Sequence, residues 1–87
     1  MKGYLYILKT KGAHYYIGST NSIERRISEH QAGKTKSLKN LLPIELMFYQ
    51  EYPEIQTARK AEIKLKKYKN KKIVDRIVKE QKITMGP

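Results

Sequence analysis

Apolar residues in this chain keep a period of two in some stretches and a helical period in others, and that switching limits the folds open to it. Residues 3–8 alternate: Tyr4, Tyr6 and Leu8 point one way, Leu5 and Ile7 the other. Thr10-Lys11-Gly12-Ala13 reads as a turn, and His14-Tyr15-Tyr16-Ile17 as a second strand that ends at Gly18. Two strands joined by so short a turn form an antiparallel hairpin.

The period then becomes helical. Asn21 precedes Ser22-Ile23-Glu24 in the pattern of a capping box, with Asn21 as N-cap and Glu24 as its partner. Ile23, Ile27 and His30 share one face, and Gly33 is the stop, which predicts a helix over residues 22–32. Lys34 to Pro43 is a basic loop. Alternation returns at Ile44, with Ile44, Leu46 and Phe48 on one face and Glu45, Met47 and Tyr49 on the other, and this third strand ends before Pro53. A second helix is expected after Thr57, its inner face carrying Ala58, Ala61, Leu65 and Tyr68. A third, over residues 71–82, carries Ile73, Val74, Ile77 and Val78 at helical spacing. The expected fold is α+β, in the order β-β-α-β-α-α, with a small three-stranded antiparallel sheet flanked by helices.

At 87 residues the chain has room for one domain, 1–87, with its ordered part at about 3–82. A domain this small buries only about 60–65% of its unfolded surface. A thin core follows, with no deep cavity for a large cofactor. There is no cysteine, hence no disulfide and no thiolate zinc site. No apolar run approaches the roughly 20 residues of a membrane span. The first residues suit a strand better than a secretion signal. A soluble, cytoplasmic protein is the expectation.

The charge is lopsided: 19 Lys and Arg against 8 Asp and Glu, a net +11. Such a surface attracts polyanions, nucleic acid first. Eleven basic residues fall between Arg59 and Lys82, interrupted by Glu62, Asp75 and Glu80. Most belong to solvated helix faces, but Lys66, Lys67 and Lys69, with Lys34, Lys36 and Lys39 in the loop, are candidate phosphate contacts. No helix presents a base-reading set, so binding is expected to be electrostatic and weakly sequence-specific.

Glu62 stands out because it lies on the apolar side of a basic helix, four residues after Ala58 and three before Leu65. An ion pair with Lys66, four residues on, is the ordinary account of it. Taken singly, Tyr6 and Tyr16 read as core tyrosines, Arg26 as surface and His30 as structural. Ser19 and Thr20 suit turn and capping roles as well as phosphate contact, and Asn70 suits an N-cap.

Taken together, Tyr4-Leu5-Tyr6, Tyr16-Ile17-Gly18, the run Glu24 to His30 and the helix around Glu62 resemble the GIY-YIG nuclease family, in particular its small stand-alone bacterial members. The second signature is literal; the first is YLY, with Tyr4 in place of the glycine. Arg26 stands ten residues after Tyr16 and His30 four further on. The resemblance runs from about Gly3 to Glu80. It implies a divalent-metal phosphodiesterase acting on DNA, with Glu62 holding a single Mg²⁺ or Mn²⁺. Arg26 would stabilise transition-state charge, and Tyr6 would be general base. Tyr16 would orient water or phosphate, and His30 would bond or relay a tyrosine proton. Positive charge nearby is expected to lower the Tyr6 pKa, or His30 to take its proton in concert, and activity is expected to rise toward alkaline pH. The alternatives are a basic DNA- or RNA-binding module that cuts nothing and a nuclease subunit needing a partner protein. The chain is expected as a monomer or a weak homodimer.

Overall fold

The computed structural model describes residues 1–12, 14–34, 41–68 and 70–82. Strands β1 (Gly3–Lys9), β2 (Tyr15–Thr20) and β3 (Glu45–Tyr52) form one antiparallel sheet in the order β2-β1-β3. Helix α1 (Ile23–Gln31) follows β2, and α2 (Ile55–Tyr68) and α3 (Lys71–Glu80) follow β3. This is the expected α+β order.

The central strand β1 is covered on both faces, as its two apolar sets require. Leu5 and Ile7 join Phe48, Leu65, Val74 and Ile77 in the core under α2 and α3. Tyr6 and Leu8 face the other way, against Tyr16, Ile23, Ile27, Ile44 and Leu46, under α1. Each fully buried aliphatic side chain contributes about 1.5–3 kcal/mol to this arrangement.

Two glycines let elements approach closely. A Cβ on Gly3 would collide with the Cα of Ile55, where α2 begins, and the Ile55 amide donates to the Met1 carbonyl at 3.0 Å. Gly18 does not end β2. It lies opposite Tyr6 in the ladder, and a Cβ there would strike the Tyr6 hydroxyl. The glycine clears space for a neighbouring ring, and the strand runs on to Thr20.

Other boundaries also shift. The N-cap of α1 is Ser22, whose hydroxyl accepts from the Arg25 amide; Asn21 instead accepts from the Arg25 guanidinium at 2.5 Å, so the capping box on Glu24 does not form. Gly33 follows the helix at φ +76°, as its stop position requires. A register shift opposite Ile7 and Leu8 breaks the alternation of β3. Phe48 pairs with Ile7 and Leu46 with Leu8, so these two side chains enter opposite cores. Helix α2 starts at Ile55, ahead of Thr57, and its Tyr68 is exposed, not part of the inner face. Asn70 caps α3 by accepting from the Lys72 amide, and Gln81 ends that helix in the left-handed region. Among the described residues, no helix is long and apolar enough to cross a membrane.

Candidate active site

The register of the hairpin determines which side chains meet. Tyr6, Leu8 and Tyr16 share the face under α1, and His30 and Arg26, one helical turn apart, come from that helix. Tyr6 and His30 are almost wholly buried, at 2% and 1% exposure. Buried polar groups need partners, and these two supply each other: the Tyr6 hydroxyl lies 3.0 Å from His30 Nε2. The Tyr16 ring packs edge-on against the imidazole, with centroids 5.5 Å apart, and its centroid is 6.4 Å from that of Tyr6.

Burial governs the protonation of this pair. It pushes the Tyr6 hydroxyl well above its usual range. Tyr16, Glu62 and Glu29 add to the rise, and Arg26 opposes it. This runs against the expectation that positive charge would lower this pKa: desolvation outweighs Arg26. Burial, and then Arg26, lower the pKa of His30, against an opposing pull from Glu29. At neutral pH the pair is a phenol beside a neutral imidazole. In the tautomer with its hydrogen on Nδ1, Nε2 accepts the phenol proton.

Arg26 is held loosely. Its Nε is 3.8 Å from a Glu29 oxygen, within ion-pair range but beyond a hydrogen bond. That Nε is buried and has no hydrogen-bond partner among the described residues. A buried guanidinium N–H left unpaired is costly in the free protein, and an anionic oxygen would satisfy it.

Glu62 reaches the same region from α2. Ser19 alternates with Gly18 and Thr20, so it faces the α2 side of β2, where its hydroxyl donates to Glu62 Oε1 at 2.5 Å. Lys66 donates to Oε2 at 2.7 Å, the ion pair expected from the spacing. The carboxylate's charge is felt at the Tyr6 hydroxyl, so the two halves of the site are electrostatically joined across the edge strand. Among the described residues, no group of three His, Cys, Asp or Glu could hold a metal. One carboxylate with a hydroxyl beside it suits Mg²⁺ or Mn²⁺, which keeps waters and takes phosphate oxygens to complete its shell. Lys66 would then have to leave Oε2.

Tyr6, Tyr16, Arg26 and His30 thus converge under α1, with Glu62 across the strand. Of the candidate phosphate contacts, Lys34, Lys66 and Lys67 are exposed, and Lys36, Lys39 and Lys69 lie outside the described residues. Thr20 is buried and takes a turn role: it donates to the Ser22 carbonyl and accepts from the Ser22 amide. Ser19 is the residue that sequence reasoning left undecided. Its strand parity is the signal that assigns it to Glu62.

Known proteins are similar to this chain in sequence. A family model for the GIY-YIG catalytic domain matches residues 2–74. A UPF0213 protein of Streptococcus pneumoniae serotype 4 is 36% identical over 69 residues, which are 78% of this chain and 70% of that protein. Another, from Streptococcus sanguinis, is 36% identical over 67 residues, 76% of this chain and 77% of its own. The solution NMR structure of a UPF0213 protein from Bacillus halodurans matches with a TM-score of 0.54 at 30% identity, covering 86% of this chain and 84% of that one. The chain belongs to the GIY-YIG family, whose catalytic domain is a nuclease fold, and its relatives there are the small UPF0213 proteins.

Proposed function

We propose that this protein is a divalent-metal-dependent DNA endonuclease with little sequence preference of its own. The observation that carries the reading is the buried Arg26 Nε, with no hydrogen-bond partner among the described residues, beside the Tyr6–His30 pair. A donor left open next to a proton-accepting couple suits a phosphodiester that gains negative charge as it reacts.

In this reading Tyr6 takes the proton of the attacking water as its own hydroxyl proton passes to His30 Nε2. The relay needs no free phenolate, which the raised Tyr6 pKa makes scarce. It needs His30 neutral, which the lowered imidazole pKa favours. Tyr16 orients the water or a phosphate oxygen from the rim, and Arg26 binds the oxygen on which charge develops. Glu62, oriented by Ser19, holds Mg²⁺ or Mn²⁺, which when bound polarises the phosphate and stabilises the leaving oxygen. The surplus of lysines holds the DNA backbone.

The Lys66–Glu62 ion pair lends some support to a second reading, a binding module in which Glu62 is structural. Incubation with labelled single-stranded, duplex and branched DNA, in Mg²⁺, Mn²⁺ or EDTA, separates the two. Metal-dependent cutting supports the nuclease. Salt-sensitive binding with no cutting in either metal supports the module.

A further inference from the structure

A cavity of about 320 Å³ lies between the β2 edge of the sheet and helices α2 and α3, on the opposite side of β2 from the Tyr6–His30 pair. Its floor is apolar, made by Ile17, Leu65 and Val74, and Tyr15 forms a wall. Lys66 and Lys71 also line it. This volume is at the small end of ligand pockets, with room for one ring system and its sugar but not for a duplex.

Three features make the groove more than a gap in packing. Asp75 lies close enough to the Tyr15 hydroxyl to raise its pKa, and the Lys71 ammonium lies 6.0 Å from the ring centroid, so charged groups flank this wall. An apolar floor beside an aromatic ring suits the face of a nucleobase, and the two lysines suit the phosphate next to it. Lys66 belongs to both sites, since it bonds Glu62 four residues away, about 6 Å along α2. The groove is therefore one step along the helix from the carboxylate.

We propose that this groove seats one unpaired base of a nucleic-acid strand, with the adjoining phosphate on Lys66 and Lys71. The base belongs to a nucleotide flanking the bond held near Glu62, and in that respect the proposal rests on the nuclease reading. A paired base is stacked above and below and cannot enter a recess without leaving the helix. The preferred DNA is accordingly a single strand, a flap or a branch.

The test is equilibrium binding in EDTA, by fluorescence anisotropy, of a labelled oligothymidine of about 12 nucleotides. A strand of the same length made only of abasic sugar-phosphate is measured beside it. The wild type is expected to prefer the thymidine strand by on the order of tenfold, the scale of seating one base. Tyr15→Leu, which removes the aromatic wall, should bring the two strands close to parity while leaving the abasic affinity unchanged. Lys71→Glu should weaken both strands more than the charge-matched Lys79→Glu does. If Tyr15→Leu fails to fold, amide shifts in the wild type decide: Ile17, Leu65 and Val74 should move with thymidine and stay still with the abasic strand. Equal wild-type affinity for the two strands overturns the proposal, and so does a thymidine preference that survives Tyr15→Leu. Cleavage plays no part in this readout. A base-seating groove in a protein that cuts nothing would overturn the nuclease reading alone, and cutting without base preference would overturn the groove alone.

Discussion

Consecutive residues of β1 enter two different interiors. Leu5 and Ile7 join aliphatic and aromatic side chains beneath α2 and α3, where the buried cluster is wholly apolar. Tyr6, between them, enters a layer under α1 that buries a phenol, an imidazole and part of a guanidinium. The first side gains stability from every contact. The second gives up some stability, since burial raises one pKa, lowers another and leaves an N–H without a hydrogen bond among the described residues. Where a small domain buries polar groups in conflict with their ionisation, reactive chemistry is the common reason. In the proposed reading the apolar cluster holds the fold, and the layer under α1 reacts together with Glu62 from across the edge strand.

Changes in the layer under α1 should therefore alter rate more than stability, and changes in the apolar cluster under α2 and α3 the reverse, with Glu62, at the surface of α2, grouped with the first. Tyr6→Phe keeps the ring and removes the proton acceptor. It should lower single-turnover cleavage by on the order of 10²–10⁴ with little change in melting temperature; a rate near wild type would take Tyr6 out of the mechanism. Arg26→Ala should lower the rate by about 10²–10³, the scale of one lost transition-state contact. If only DNA affinity changes, Arg26 is an ordinary phosphate contact.

The pH profile is a gentler probe. Sequence reasoning alone expects an alkaline rise. With Tyr6 raised and His30 lowered, the rate should instead climb through a midpoint below 6.5 and level off near neutrality. A continued tenfold rise per unit above pH 7 would point to free phenolate. The same imidazole affects folding. Its folded pKa lies below the unfolded value of about 6.5. Between the two the unfolded chain binds more protons, so stability is full above the unfolded value and declines as pH falls through the folded one. His30→Gln should flatten that part of a melting-temperature profile. On the other side of the sheet, Ile77→Val should cost about 0.5–1.5 kcal/mol of stability and leave the rate per folded molecule unchanged. A matching loss of rate there would break the division between the two sides.

Much of this division is legible in the chain itself. The alternation of Tyr4 to Leu8, apolar in both registers, already requires a strand with two covered faces. Taken singly Tyr6, Tyr16, Arg26, His30 and Glu62 look ordinary, and it is the resemblance to the GIY-YIG family that picks them out together. What was not legible depends on contacts across strands. A bulge sends Leu46 and Phe48 to opposite cores, and no local pattern in residues 44–49 announces it. Gly18 looks like a strand end until the Tyr6 hydroxyl is seen to need its space. Ser19 joins Glu62 through a pairing 43 residues apart in sequence. The direction of the Tyr6 pKa depends on burial, which residue counts cannot weigh against charge.

The most direct test of the nuclease reading is a single-turnover cleavage assay of wild type and Glu62→Ala in Mg²⁺ and Mn²⁺, with DNA binding measured on the same preparations. The expected result is metal-dependent cutting by the wild type and none by the variant, whose DNA affinity is kept or raised because a carboxylate has been removed from the phosphate path. Comparable cutting by Glu62→Ala would contradict the account.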